Sequence, residues 1–221
     1  MGFKVAVIYF SRRGRLVTLT NVIAEGARQV QGAEVTVYRV RDAVGGDCDE
    51  AFEEGVLDAP VIQPQDLLEA DAIIIGAPGR QGGMCAEVRF FLDQLADFQT
   101  TPNPGSSGQS YGLLKGKVGS AFTSVGGQGR GYGGHEAILM SFHSTFLQHG
   151  MLVAGVPPTP VMEDALMASP FGTCMAGKAR TVDCNGVSKL RSLSESEVKL
   201  AYAQGEWVAQ IAKQLHDSDG D

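Results

Sequence analysis

A doubly wound α/β fold, a parallel sheet with helices on both faces, is what this sequence predicts. Short, nearly unbroken apolar runs alternate along the chain with longer segments of helical spacing. Such runs read as strands covered on both faces, the habit of parallel sheets. Parallel neighbours need crossover connections, and right-handed crossovers put helices on both sides. The chain has 221 residues with 43% hydrophobic content, enough for one sizeable core.

"FKVAVIYF" predicts the first strand, and Leu16, Leu19, Ile23, Ala27 and Val30 follow at helical spacing, so the chain opens as strand, tight loop, helix. "AEVTVYRV" predicts the second strand and "DAIIIGAP" the third, followed by a helix on Met84, Val88, Phe91, Leu92 and Leu95. A Gly, Ser and Pro-rich link, "TTPNPGSSGQSYG", precedes a fourth strand in "GKVGSAFTSV". A glycine-dense loop then leads to a helix carrying Ile138, Phe142 and Phe146, and "GMLVAGVPP" predicts the fifth strand. The last helix opens at Ser194 with Glu197 three residues on, a capping-box pattern, and carries Ala201, Val208, Ile211 and Leu215. One domain over residues 1–215 is expected, with insertions near 43–65, 99–112 and 157–190, a short helix near "PQDLLEA" and a frayed tail at 216–221.

A formal net charge of -7 disfavours nucleic acid, because no basic cluster stands out beyond the opening loop. Cys48, Cys85, Cys174 and Cys184 form no Cys-x-x-Cys pair, so neither a zinc site nor a redox dithiol is expected. No signal-peptide cleavage pattern and no membrane-length apolar stretch is visible, which leads to the expectation of a soluble cytoplasmic protein.

In an open α/β sheet ligands bind beyond the carboxyl ends of the strands. That rule selects "SRRGRLVT", "APGRQGGMC" and "TSVGGQGRGYGGH". The first could hold an anion through helix N-terminal N–H groups and the Ser11 and Thr18 hydroxyls. Equally, Ser11 could simply cap a helix and Gly14 turn the chain beside solvated arginines. The loop is neither a P-loop nor a G-x-G-x-x-G. In the second loop glycines allow close backbone approach and Arg80 offers several donors, against the plain alternative of an ordinary turn. The third holds six glycines between Gly126 and Gly134, which favours ligand contact over a mobile linker. His149, in "QHGM", either reaches this sheet edge or caps a helix with Gly150.

Three such loops suit a mononucleotide with a planar ring. "IYFSRRGR", "GAPGRQGGMCAEVRFFLDQ", "LKGKVGSAFTSVGG" and "QHGM", continued by "SPFGTCMAG" and "GEWVAQIAKQL", resemble the flavodoxin-like NAD(P)H:quinone oxidoreductases of the WrbA type over nearly the whole chain. The resemblance implies a five-stranded sheet in the order 2-1-3-4-5, an FMN cofactor, NADH or NADPH as co-substrate and a quinone acceptor. It implicates Ser11, Arg12, Gly14, Arg15 and Leu16 at the flavin phosphate, Pro78, Gly79, Arg80 and Gln81 along the ring edge, and Ser124, Val125, Gly126 and Gly127 over the ring, with His149 beside it. No classical acid or base is required, since the flavin carries the chemistry. The family usually places aromatics where Arg13 and Gln81 stand, an asparagine at Gly83, and a tryptophan near Phe98 and Gln99. Arg13 and Phe98 therefore fall on the nicotinamide and substrate side. The resemblance also implies a homodimer or homotetramer with active sites completed between subunits.

The rivals are a flavodoxin-like one-electron carrier between proteins and a non-flavin binding module on the same fold. A phospho-receiver would need clustered carboxylates where Ser11, Arg12 and Arg13 stand. A serine hydrolase would need a Gly-x-Ser-x-Gly elbow, and a phosphatase would place, in its phosphate loop, a cysteine six residues before an arginine; neither is expected.

Overall fold

The computed structural model describes residues 2–12, 14–42, 58–101, 111–126, 134–160, 168–177, 180–182 and 188–218. β1 (Phe3–Tyr9) lies between β2 (Ala33–Arg39) and β3 (Ala72–Arg80), parallel to both, with Phe3 opposite Ala33 and Val5 opposite Ala72. β4 (Gly83–Met84) folds back on the end of β3, and β5 (Val118–Val125) runs parallel to β3 with Ala72 opposite Val118. The order 2-1-3-4-5 expected for the five main positions is present, with one difference in the last.

That fifth position is filled in two pieces. β6 (Leu152–Val153) pairs with Val118 and Gly119, and β7 (Thr173–Ala176) pairs with Phe122 to Val125. The expected strand "GMLVAGVPP" thus leaves the sheet early, and half of its place is taken by residues expected to be insertion. The cause is local: Val156 donates to Pro170 O instead of to β5, and Pro157 and Pro158 have no N–H to continue a ladder. A short antiparallel pair, β8 (Arg180–Val182) and β9 (Ser188–Leu190), stands apart from the main sheet.

Strand alternation divides the core in two. Val5, Val7 and Ile74 point to one face, where α1 (Arg15–Arg28) and α5 (Glu195–Ser218) cover them with Leu19, Ile23, Ala27, Ala201, Val208 and Ala212. Ala6, Ile8, Ile73 and Ile75 point to the other, under α2 (Ala86–Asp93) and α4 (His135–Gln148). A 3-10 turn over Pro64–Leu68 occupies the short helix expected at "PQDLLEA", and α3 (Ala96–Thr100) follows α2.

The two helices of the first face approach at glycines. A Cβ on Gly26 would stand 2.1 Å from Tyr202 O, and one on Gly205 1.9 Å from Ile23 O, so the backbones themselves are in contact. Gln204, fully buried, ties α5 to the sheet: its Oε1 accepts from Thr173 N–H at 2.9 Å, and its Nε2 donates to Ser120 Oγ and Ala121 O, each at 2.8 Å. The capping box is formed, with Ser194 N–H donating to Glu197 Oε2 and Glu197 N–H to Ser194 Oγ. α5 reaches Ser218, so His216 to Ser218 are helical rather than frayed. Among the described residues no helix is long and apolar enough to cross a membrane.

Candidate functional site

Because β1, β3 and β5 are parallel, the segments after them emerge at one pole. The first turns at Gly14, whose φ of 69° lies in the left-handed region, and α1 begins at Arg15. Ser11 is therefore not the cap; its buried Oγ accepts instead from Leu16 N–H, in the first turn, at 3.3 Å. Of the five α-helices among the described residues, α1 alone has no acidic residue in its first turn, so nothing in that turn offsets its positive end. Leu16 is buried beneath the loop, whereas Thr18 faces solvent.

The two described arginines of this segment are each tied to distant parts of the chain. Arg12 does not stand ready for a phosphate: its Nε and Nη2 fork onto Asp42 at 2.8 and 2.9 Å, and Nη2 lies 3.1 Å from Glu87 Oε1. Two largely buried carboxylates offset its charge, and the contact fastens the loop to the end of β2 and the start of α2. Arg15 is only 6% exposed; its Nη1 donates to Val125 O at 3.2 Å and its Nη2 to Met175 O at 3.1 Å. Its Nε has no hydrogen-bond partner among the described residues. Burial, and then the nearby Arg191, push its pKa below the ordinary value. Arg13 lies outside the described residues.

The second segment is strand and hairpin rather than a glycine loop. β3 continues through Pro78, Gly79 and Arg80, and Gln81 and Gly82, with φ of 49° and 81°, form a two-residue turn of the kind that suits a right-twisted hairpin. Arg80 and Gln81 are exposed. A Cβ on Gly79 would lie 2.4 Å from Ile138 Cδ1 and 3.1 Å from Val125 Cγ1, so a side chain there would have to displace these neighbours. Pro78 sits opposite Ser124, and Thr123 Oγ donates to Ala77 O at 2.8 Å, so the second and third segments leave from one stitched edge. Ser124 and Val125 are buried and Gly126 is exposed, while Gly127 and the rest of the glycine-dense run to Gly133 lie outside the described residues.

His149 and Phe98 are not at this pole. A helix that follows a parallel strand must run back toward the strand beginnings. α4 does so, and His149 caps its far end where Gly116 donates to Gly150 O just before β5. The His149 ring is buried against an apolar cavity of about 10 Å³ lined by Ile8, Phe91, Leu95 and Phe146, and burial lowers its pKa. Its Nε2 is 3.5 Å from Gln99 Nε2, and its Nδ1 has no partner among the described residues. Phe98, half-buried on α3, shares that region, its carbonyl accepting from Leu113 N–H.

Neither described thiol offers a nucleophile. Cys174 and Arg180 do stand six positions apart, the spacing of a phosphatase loop, but Cys174 lies inside β7 and burial pushes its pKa up to about 12. Cys85 is likewise pushed up to about 12 by burial. Cys48 and Cys184 lie outside the described residues.

The residues at the loop pole fit a terminal phosphate of the FMN type: a left-handed glycine turn, an acid-free helix N-terminus, and a buried guanidinium with an orphaned N–H. Sequence reasoning missed Asp42 and Glu87, the carboxylate partners of Arg12, and Arg191, a like charge near Arg15. Only long-range pairing identifies them, and nothing in their local spacing signals it.

A flavodoxin-like α/β protein is the class that this fold defines. The WrbA-like flavodoxin of Agrobacterium tumefaciens shares the fold with a TM-score of 0.59 at 19% identity, covering 96% of this chain and 99% of that one. The profile of the NADPH-dependent FMN reductase family matches residues 3–157, and the chain belongs to that family. It is also similar to the NAD(P)H dehydrogenase (quinone) of Aromatoleum aromaticum, at 37% identity over 96% of this chain and 97% of the relative. The protein of the same name from Chromohalobacter salexigens is 35% identical, with 96% and 98% covered.

Proposed function

We propose that this protein is an FMN-dependent oxidoreductase that moves two electrons from NADH or NADPH to a quinone. The observation that carries the reading is Arg15, a buried cation with an orphaned N–H in the first turn of an acid-free helix. The full-length similarity to two relatives named NAD(P)H dehydrogenase (quinone) supports the reaction class. When bound, FMN would supply the two-electron chemistry, accepting a hydride and then reducing the quinone.

The chain's own part is to bind, orient and exclude water. Backbone N–H groups around Gly14 to Leu16, with Ser11 and Arg15, would hold the phosphate. Arg12 holds the loop in place through Asp42 and Glu87. Pro78, Gly79, Arg80 and Gln81 on one side and Ser124, Val125, Gly126 and Gly127 on the other would flank the ring, with Arg80 an exposed donor able to offset negative charge. Arg13 would face the nicotinamide. Phe98, Gln99 and, behind Gln99, His149 lie at the opposite pole of their own chain, so they would reach a flavin only from a neighbouring subunit, in a homodimer or homotetramer. Such a protein would work in the cytoplasm.

The test is the visible spectrum of purified protein titrated with FMN, followed by steady-state NADH and NADPH oxidation with benzoquinone. Flavin fluorescence quenching and quinone-dependent turnover are expected. Quenching without turnover would leave an electron carrier, and absence of quenching would remove both flavin readings.

A further inference from the structure

Arg15 is not alone behind the first loop. Its Nη2 donates to Met175 O, and Nη2 of Arg191 donates to the next carbonyl, that of Ala176, at 2.9 Å. Two guanidinium groups thus reach consecutive carbonyls at the carboxyl end of β7, one from the loop and one from the segment entering α5. Arg191 also forks onto Glu197 at 2.6 and 2.8 Å, and Glu197 Oε1 accepts from Ala176 N–H at 3.2 Å. Among the described residues the cluster holds two positive charges and one negative charge.

A surplus charge in a poorly solvated place is costly unless something compensates it. Here the surplus sits behind a helix N-terminus of the same sign, and nothing in the first turn of that helix opposes it. The Nε atoms of both Arg15 and Arg191 are buried without partners among the described residues. Arg191 acts on Arg15 in the direction expected of two cations within Coulombic reach, and Glu197 acts in the opposite direction. An anion at the loop would relieve the repulsion, and the relief would scale with the charge behind Arg15.

We propose that Arg191 and Glu197 act through Arg15 to set the charge behind the first loop, and that this charge selects a flavin with a terminal phosphate over riboflavin. The inference rests on the flavin reading above. Arg191 and Glu197 are positioning residues, and Ser11 and the loop N–H groups keep the contact role. Because the selection is electrostatic, removing the cation and removing the carboxylate have opposite effects on FMN and none on riboflavin.

The experiment titrates the apoprotein with FMN and, separately, with riboflavin, following flavin fluorescence, for wild type, R191Q, R191K and E197Q. R191Q lowers FMN affinity by about tenfold, the scale of one unit charge at several ångströms in a surface-like dielectric. E197Q raises it by a similar factor, R191K stays near wild type, and riboflavin affinity is the same throughout. The differences shrink with added salt. If R191Q and E197Q weaken both flavins alike, the cluster is only a brace and the inference is overturned. Should E197Q not fold, R191K decides alone, and a value equal to that of R191Q overturns the inference. Wild type binding FMN and riboflavin equally overturns the inference while leaving the flavin reading intact; wild type binding neither overturns both.

Discussion

Substituting Gly205 by Ala should damage stability and flavin binding together, although the residue is far in sequence from the loop. A Cβ there would lie 1.9 Å from Ile23 O, 2.8 Å from Ile23 C and 3.0 Å from Ala27 N, all backbone atoms of α1 that no rotamer change can move aside. Restoring ordinary contact requires the two helices to part by roughly 1.5 Å. Overpacking of this severity costs about 3 kcal/mol, of which the better helix propensity of alanine returns about 1 kcal/mol. The net loss of about 2 kcal/mol corresponds to a fall of about 1 M in the urea midpoint at a slope of about 2 kcal/mol/M. Since α1 begins at Arg15, its displacement also disturbs the hydrogen bonds to Val125 and Met175, and FMN affinity should drop. Urea unfolding and FMN titration of G205A check both effects. A variant as stable as wild type would refute the backbone-contact reasoning, and a destabilised variant with unchanged FMN affinity would refute the link from helix packing to the loop.

Gln204→Leu removes three buried hydrogen bonds and leaves Thr173 N–H and Ser120 Oγ without their partner, so a loss of about 3 kcal/mol is expected in the same urea assay. The pKa values of His143 and His149 are both lowered chiefly by burial, so the unfolded chain takes up protons that the fold refuses. Stability is therefore level above their unfolded pKa of about 6.5 and declines as pH falls through the depressed folded values; the double variant H143Q/H149Q should flatten that profile in urea midpoints measured between about pH 7.5 and 5.5. Arg12→Ala takes the guanidinium away from the largely buried Asp42 and Glu87 carboxylates beside the loop, and about 1–2 kcal/mol of stability should go with it, less than for a fully buried pair because Arg12 is partly exposed. Cys85 and Cys174 should resist alkylation in the folded protein near pH 8, read by intact mass, and react once it is unfolded.

Much of the architecture was legible because burial on two faces leaves a plain mark on composition. "FKVAVIY" and "AIIIGA" can be little else than inner parallel strands, and Ser194 with Glu197 announced a helix start that the hydrogen bonds bear out. The fifth strand was misjudged because strand pattern says where apolar residues stand and nothing of which neighbour they pair with. Thr173 to Ala176 is a short run framed by glycines, and only the vacant edge of β5 makes it a strand. Among the candidate site residues, the turn at Gly14 followed from local chemistry, whereas Ser11, readable as a cap, instead accepts from Leu16 N–H. The fates of Arg12 and Arg15 depended on Asp42, Glu87, Val125 and Met175, distant groups to which local spacing is blind. The place of His149, by contrast, follows from topology: a helix after a parallel strand ends at the other pole, and applying that rule to "QHGM" separates it from the loops.

The two-piece strand at the edge of the sheet also bears on how this protein avoids its own kind. A long bare edge strand is a template on which another chain can add by backbone pairing. Here β6 offers two residues and β7 four, and the chain departs from the sheet between them through a glycine and two prolines. Neither piece gives an incoming strand enough consecutive partners to register against. The interruption should therefore protect this edge of the sheet from edge-to-edge aggregation, and joining the pieces into one continuous strand would open it to such pairing.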